Sequence, residues 1–132
     1  MTTQEERDYL DSLTNRILNA AIHVHKQLGP GLLESTYETC LEYELNKRGF
    51  RVERQKGLPV RYEGITLDCG YRIDLLIDGK VILELKAVDK ITDVYVAQLL
   101  TYLKLSGCKV GLLLNFNTKL LKSGMRRLVN GY

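Results

Sequence analysis

Tyr71-Arg72-Ile73-Asp74-Leu75-Leu76-Ile77-Asp78-Gly79-Lys80-Val81-Ile82-Leu83-Glu84-Leu85-Lys86 is the stretch around which the rest of the chain can be arranged. Two apolar runs flank Asp78-Gly79, a pair suited to a tight hairpin because glycine takes positive φ at no steric cost. Side chains alternate across a strand. Tyr71, Ile73, Leu75 and Ile77 therefore point one way, and Arg72, Asp74, Leu76 and Asp78 the other. In the second run Val81, Leu83 and Leu85 form an apolar face, with Ile82, Glu84 and Lys86 opposite. If the apolar faces share one core, Asp74, Glu84 and Lys86 share the other side.

That demand constrains the turn. A two-residue Asp78-Gly79 loop would set Asp74 opposite Leu83, away from Glu84. A three-residue loop, Ile77-Asp78-Gly79 with Gly79 left-handed, pairs Leu76 with Lys80, Asp74 with Ile82 and Glu84 with Arg72. The carboxylates then become diagonal neighbours on one face. An odd-numbered loop is predicted. Two carboxylates and a lysine so placed suit metal-assisted phosphodiester hydrolysis. Hard oxygen ligands hold Mg²⁺ or Mn²⁺, and a lysine orients the attacking water or stabilises charge on the phosphorus. The Leu85 carbonyl offers a further metal ligand. The same alternation also describes a hairpin with one wet face, in which Glu84 and Lys86 are a surface pair.

Outward from the hairpin, Leu10, Leu13, Ile17, Ala21, Val24 and Leu28 recur at steps of three and four and predict a helix over Gln4–Leu28, broken at Gly29-Pro30-Gly31. A second helix is predicted over Leu32–Arg48, with Leu33, Tyr37, Leu41 and Leu45 inward and Gly49 ending it. Phe50–Asp78 shifts to short strands. Asp93–Leu105 returns to helix, apolar nearly all round and so expected to pack on several sides. Val110–Phe116 predicts a buried strand, and Gly124–Tyr132 an edge strand carrying Arg126 and Arg127. The order implies a mixed α/β (α+β) fold, with helices covering a sheet.

The 132 residues predict a single domain over 1–132 able to bury a core unaided. The net charge of +3, from 19 Lys and Arg against 16 Asp and Glu, permits nucleic-acid binding without arguing for it. No apolar run approaches about 18 residues and Met1–Asp8 is polar, so neither a membrane span nor a signal peptide is expected. Cys40, Cys69 and Cys108 form no C-x-x-C pair, which argues against zinc and iron–sulfur sites. They read as small buried residues of a reducing compartment, pointing to the cytoplasm.

Gly31-Leu32-Leu33-Glu34-Ser35-Thr36-Tyr37 reproduces a G-x-x-E-x-x-Y signature. Downstream lie Asp74, the Glu84-Leu85-Lys86 triplet, a Q-x-x-x-Y pattern at Gln98–Tyr102 and the strand at Val110–Phe116. Together, from about Leu13 to Val129, they resemble the bacterial GxxExxY family of the PD-(D/E)XK nuclease superfamily. Ile73 stands where the superfamily name has proline. The resemblance implies a restriction-endonuclease-like core, a central mixed β-sheet flanked by helices, and metal-dependent cleavage of DNA or RNA. It implies Asp74 and Glu84 as metal ligands, joined by the Leu85 carbonyl and Glu34, with Lys86 as the catalytic lysine. Gln98 and Tyr102 would complete the site from the following helix.

Each of these residues also has an ordinary explanation. Glu34 in a first helical turn complements the helix dipole. Tyr37 and Tyr102 suit packing, His25 a structural hydrogen bond, and His23 and His25, two apart, share no helix face. Lys47, Arg48, Arg51, Arg54, Lys56 and Arg61 suit either a nucleic-acid backbone or a solvated surface. A small domain would gain gripping surface as a homodimer. Two alternatives stand beside the enzyme: a nuclease-fold module without catalysis that binds nucleic acid or a protein partner, and a structural protein. The structural alternative requires Glu34, Asp74, Glu84 and Gln98 to face different sides of the molecule.

Overall fold

In the computed structural model, which describes residues 2–132, helix α1 (Gln4–Leu28) and helix α2 (Glu34–Lys47) come first. Five strands follow: β1 (Val52–Gly57), β2 (Val60–Tyr62), β3 (Ile65–Leu67), β4 (Arg72–Ile77) and β5 (Val81–Lys86). Helix α3 (Asp93–Ser106), β6 (Val110–Asn115), a 3₁₀ turn at Leu121–Gly124 and β7 (Met125–Val129) complete the chain. The Thr3 side chain caps α1 by accepting the Glu6 N–H at 3.1 Å, and Gly29, at φ 70°, ends it.

The main sheet has the order β1-β4-β5-β6-β7; β2 and β3 form a separate ribbon. β5 and β6 run parallel and the other neighbours antiparallel. A parallel pair needs a crossover, and α3 supplies it. The sheet is thus mixed and flanked by helices, as expected.

Both faces are covered. On one, Leu13, Ile17 and Ala21 of α1 and Leu41 and Leu45 of α2 pack on Leu75, Leu83, Leu85 and Leu112. On the other, Leu99, Tyr102 and Leu103 of α3 pack on Ile82 and Leu113. This double cover explains why β5 and β6 read as nearly continuous apolar runs and bury every residue but Lys86. At Gly111 the helix lies so close that a Cβ would stand 2.9 Å from Leu99 Cδ1.

Four expectations need correction. The hairpin loop is odd-numbered, but it is Asp78-Gly79-Lys80: Ile77 pairs with Val81 and Leu76 with Ile82. Asp78 and Gly79 both take positive φ, at 53° and 66°, and Asp78 is held there by Arg51, whose N–H donates to its carboxylate at 2.8 Å. Helix α3 is packed on one face only, burying Leu99, Tyr102 and Leu103 and leaving Val94 exposed. The cysteines are free but not buried: Cys69 is exposed, and Cys40 and Cys108 are half-buried. The second helix starts two residues later than predicted, at Glu34.

Candidate active site

The β4–β5 ladder runs from Ile77↔Val81 to Leu75↔Leu83, and Asp74 and Glu84 would form its next rung. Instead, each carboxylate takes up a backbone donor of the opposite strand. Glu84 Oε2 accepts the Asp74 N–H and Asp74 Oδ2 accepts the Leu85 N–H, both at 2.9 Å. The two acids are therefore direct neighbours, not the diagonal pair expected, because the loop sits one residue further along. Their positions are fixed by backbone groups, which leaves little rotamer freedom.

Electrostatically the pair is costly. Glu84 is only 5% exposed, and burial, followed by the neighbouring Asp74 carboxylate, pushes its pKa up to about 8. Asp74 is also raised, chiefly by burial, although the Leu85 N–H acts in the opposite sense. Lys86 opposes both shifts, yet among the described residues it makes no ion pair. Its ammonium lies 4.7 Å from the ring centre of Tyr95 on α3. A carboxylate raised this far by burial and by a like charge beside it is a candidate functional group.

Helix α3 lines the site with Tyr95, Gln98 and Tyr102, spaced i, i+3, i+7 on one stripe. Gln98 Nε2 donates to the Tyr102 hydroxyl at 3.3 Å. The Tyr102 pKa is raised, first by burial and then by Glu84 and Asp74, so its hydroxyl lies within their field. Asn115, 2% exposed, fixes the segment after Lys86: Nδ2 donates to the Val88 carbonyl at 2.9 Å, and Oδ1 accepts the Val88 and Asn117 N–H groups, each at 3.1 Å.

From the other side comes α2. Glu34 stands in its first turn, exposed, and partial burial together with Asp74 and Glu38 raises its pKa against Lys86. Glu34 and Tyr102 thus each lie within electrostatic reach of Asp74 and Glu84, and Gln98 is bonded to Tyr102. The dispersed arrangement required of a purely structural protein is not found.

Two participants were absent from the sequence reading. Glu38, 6% exposed, accepts from Arg54 Nε at 2.7 Å and from Gln55 Nε2 at 3.0 and 3.2 Å. Gln55 also donates to Asp74 Oδ1 at 3.3 Å, so one amide bridges two carboxylates. It does so from a left-handed backbone, φ 53°, where the β1–β4 ladder lacks the Gln55–Asp74 rung. A non-glycine residue held left-handed is strained by roughly 1–2 kcal/mol, and such strain clusters at functional sites. The i, i+4 spacing of Glu34 and Glu38 was the available signal. Nothing local announces Gln55.

Tyr37 and His25 are tied into the fold by backbone contacts. The Tyr37 hydroxyl donates to the Gly29 carbonyl at 2.5 Å and accepts the Leu32 N–H at 3.1 Å, tying down the Gly29-Pro30-Gly31 turn, while its ring stacks 4.6 Å from Phe116. His25 Nε2 meets the Thr118 carbonyl at 2.8 Å. Within the basic stretch, Arg48, Arg54 and Lys56 are paired with Glu44, Glu38 and Glu53.

Asp74 and Glu84 offer a divalent ion what it requires: adjacent hard oxygens, fixed in place and short of positive charge. The full set expected from the sequence is not assembled, since among the described residues no three His, Cys, Asp or Glu side chains converge as a metal cluster. No helix is long and apolar enough to cross a membrane among the described residues. No curated protein and no solved structure matches the chain significantly. A sequence model of the PD-(D/E)XK nuclease superfamily, whose members generally use divalent metals, matches residues 11–128, a span that takes in most of α1, all of α2, the hairpin acids and α3. With that match covering nearly the whole chain, the protein belongs to the PD-(D/E)XK nuclease superfamily.

Proposed function

We propose that the protein is a nuclease of the GxxExxY type that hydrolyses phosphodiester bonds of DNA or RNA in a divalent-metal-dependent reaction. One observation carries this: a buried and a half-buried carboxylate, Glu84 and Asp74, each held by a backbone N–H of the facing strand, lie adjacent beside a lysine that makes no ion pair among the described residues. Mg²⁺ or Mn²⁺ held by Asp74, Glu84 and the Leu85 carbonyl would polarise the phosphate and lower the pKa of a bound water. The chain supplies the rest. Lys86, steadied on Tyr95, places a positive charge where the phosphate gains negative charge. Gln98 and Tyr102 offer hydrogen bonds to the scissile nucleotide from α3. Glu34 approaches from α2 as the outer carboxylate, and Gln55 keeps Asp74 aimed inward. A reducing compartment such as the cytoplasm suits the three free cysteines.

The test is incubation of wild type and Asp74→Ala with DNA and RNA in Mn²⁺, Mg²⁺ or EDTA. Cleavage by wild type that needs the ion, and its loss by at least 100-fold in Asp74→Ala, is expected. Absence of ion-dependent cleavage by wild type on either substrate refutes catalysis. The modest charge of +3 favours a second reading, a nuclease-fold module that binds without cutting. A thermal-shift titration separates the two, since an ion bound only by the folded state raises the melting temperature. A protein indifferent to Mn²⁺ fits the second reading.

A further inference from the structure

Beside the carboxylates opens a cleft of about 390 Å³ lined by Val60, Tyr71, Gln98, Thr101, Tyr102 and Leu105. Its walls are mostly apolar, and no acidic residue lines it. Tyr71 and Tyr102 meet edge to face at 6.1 Å and 66°, from opposite sides of the α3–sheet interface. The two rings differ in exposure: Tyr102 is 5% exposed, whereas Tyr71 leaves 46% of its surface open. An open tyrosine face beside a buried one is unfinished packing that suits a third flat ring.

We infer that this cleft is a subsite for one unpaired nucleobase of a single-stranded segment, stacked on Tyr71 while its phosphate lies at Asp74 and Glu84. Three observations select this occupant. The cleft borders the strands of the acidic pair: Tyr71, which lines it, stands three residues before Asp74, and Tyr102, which lines it too, shares a buried cluster with Ile73 and Ile82 of the two strands that carry the acids. Flat apolar walls with one amide at the edge match a base, whose faces stack and whose rim hydrogen-bonds. Gln98 spends one N–H on Tyr102 and keeps its carbonyl oxygen for that rim. Finally, Arg72, next in the chain to Tyr71, is exposed and without an ion-pair partner among the described residues, which suits a flanking phosphate. A base inside a duplex has both faces covered and enters such a cleft only by unstacking. Single strands are therefore preferred over duplex.

The inference rests on the nuclease reading for the location of the phosphate, but the test does not depend on cleavage. Single-stranded DNA and RNA oligonucleotides carrying one 2-aminopurine, the same sequence as a duplex, and one with an abasic position are titrated with the full chain in EDTA and in Mg²⁺. Expected are fluorescence quenching and tighter binding with the single strands. Tyr71→Ala should weaken binding about tenfold, in line with the loss of one stacked base, while Tyr71→Phe retains it. The Tyr71 backbone carbonyl, which accepts the Leu58 N–H at 2.9 Å, is unaffected by either change, and thermal melts verify folding. Equal affinity of wild type and Tyr71→Ala, no preference for single strand over duplex, or full affinity for the abasic strand overturns the subsite. Quenching with no ion-dependent cleavage would sink the catalytic reading and leave the subsite standing. Cleavage that Asp74→Ala abolishes and Tyr71→Ala leaves at unchanged KM would do the reverse.

Discussion

Replacing Glu84 by glutamine should stabilise the ion-free protein at alkaline pH and leave it unchanged at acid pH. The folded pKa of Glu84 is raised from 4.5 to about 8, so between those values the folded state holds a proton that the unfolded chain has released. Stability tied to this group is fully present below about pH 4.5, declines as pH rises through about 8, and is level above. The steepest decline is about 1.4 kcal/mol per pH unit, the value for one proton. Across the whole window the difference reaches roughly 5 kcal/mol as an upper bound. Water entering where β4 and β5 part reduces this, and about 2–4 kcal/mol is expected. Glutamine mimics the neutral acid and can still accept the Asp74 N–H through its carbonyl. Urea unfolding of both proteins from pH 5 to 9 in EDTA measures the effect. The curves should coincide near pH 5 and separate by about 2–4 kcal/mol at pH 9, with a remaining slope in the variant from Asp74. Saturating Mg²⁺ should flatten the wild-type decline, because a bound cation stabilises the ionised pair. Parallel curves for the two proteins in EDTA would refute a buried, uncompensated carboxylate at this position.

Three further outcomes follow from the geometry. Gln55→Ala should be less stable to urea than Gln55→Gly by roughly 1 kcal/mol, because only alanine keeps a Cβ at φ 53°; equal stabilities would mean that the left-handed conformation is not imposed. Asn115→Ala should lose about 2–4 kcal/mol, since it strips partners from the Val88 N–H, the Val88 carbonyl and the Asn117 N–H; a loss under 1 kcal/mol in urea unfolding would count against it. Gly111→Val should cost about 1–3 kcal/mol by wedging α3 off β6, where Leu99 is fully buried and has no room to yield. An unchanged melting temperature would contradict that packing.

Much of the fold could be read from periodicity. Leu10, Leu13, Ile17, Ala21 and Val24 are all buried on the predicted stripe of α1, and the apolar runs at Val81–Leu85 and Val110–Phe116 are interior strands. That Asp74 and Glu84 share one face of the hairpin followed from the requirement that apolar faces coincide. Its register did not, because the loop residues are chosen by a contact distant in sequence, Arg51 N–H to Asp78. The one-sided packing of α3 was hidden for a related reason: apolar residues such as Val94 look the same in sequence whether or not a neighbour covers them. Gln55 and Glu38 escaped notice because their role arises where three elements meet. Polar residues of ordinary type carry no mark of a left-handed backbone or of a bond formed 17 residues away.

The twist at Gln55 has a further effect, since β1 is a border strand of the main sheet. A regular border presents an orderly row of donors and acceptors on which a foreign chain can add itself, the first step toward fibrous aggregation. The left-handed residue throws that row out of step halfway along. At the opposite border β7 exposes Arg126 and Arg127, the second of them paired with Asp11, and a strand approaching there meets charged side chains. The kink that aims Asp74 inward thus also helps to keep the molecule from polymerising through its edges.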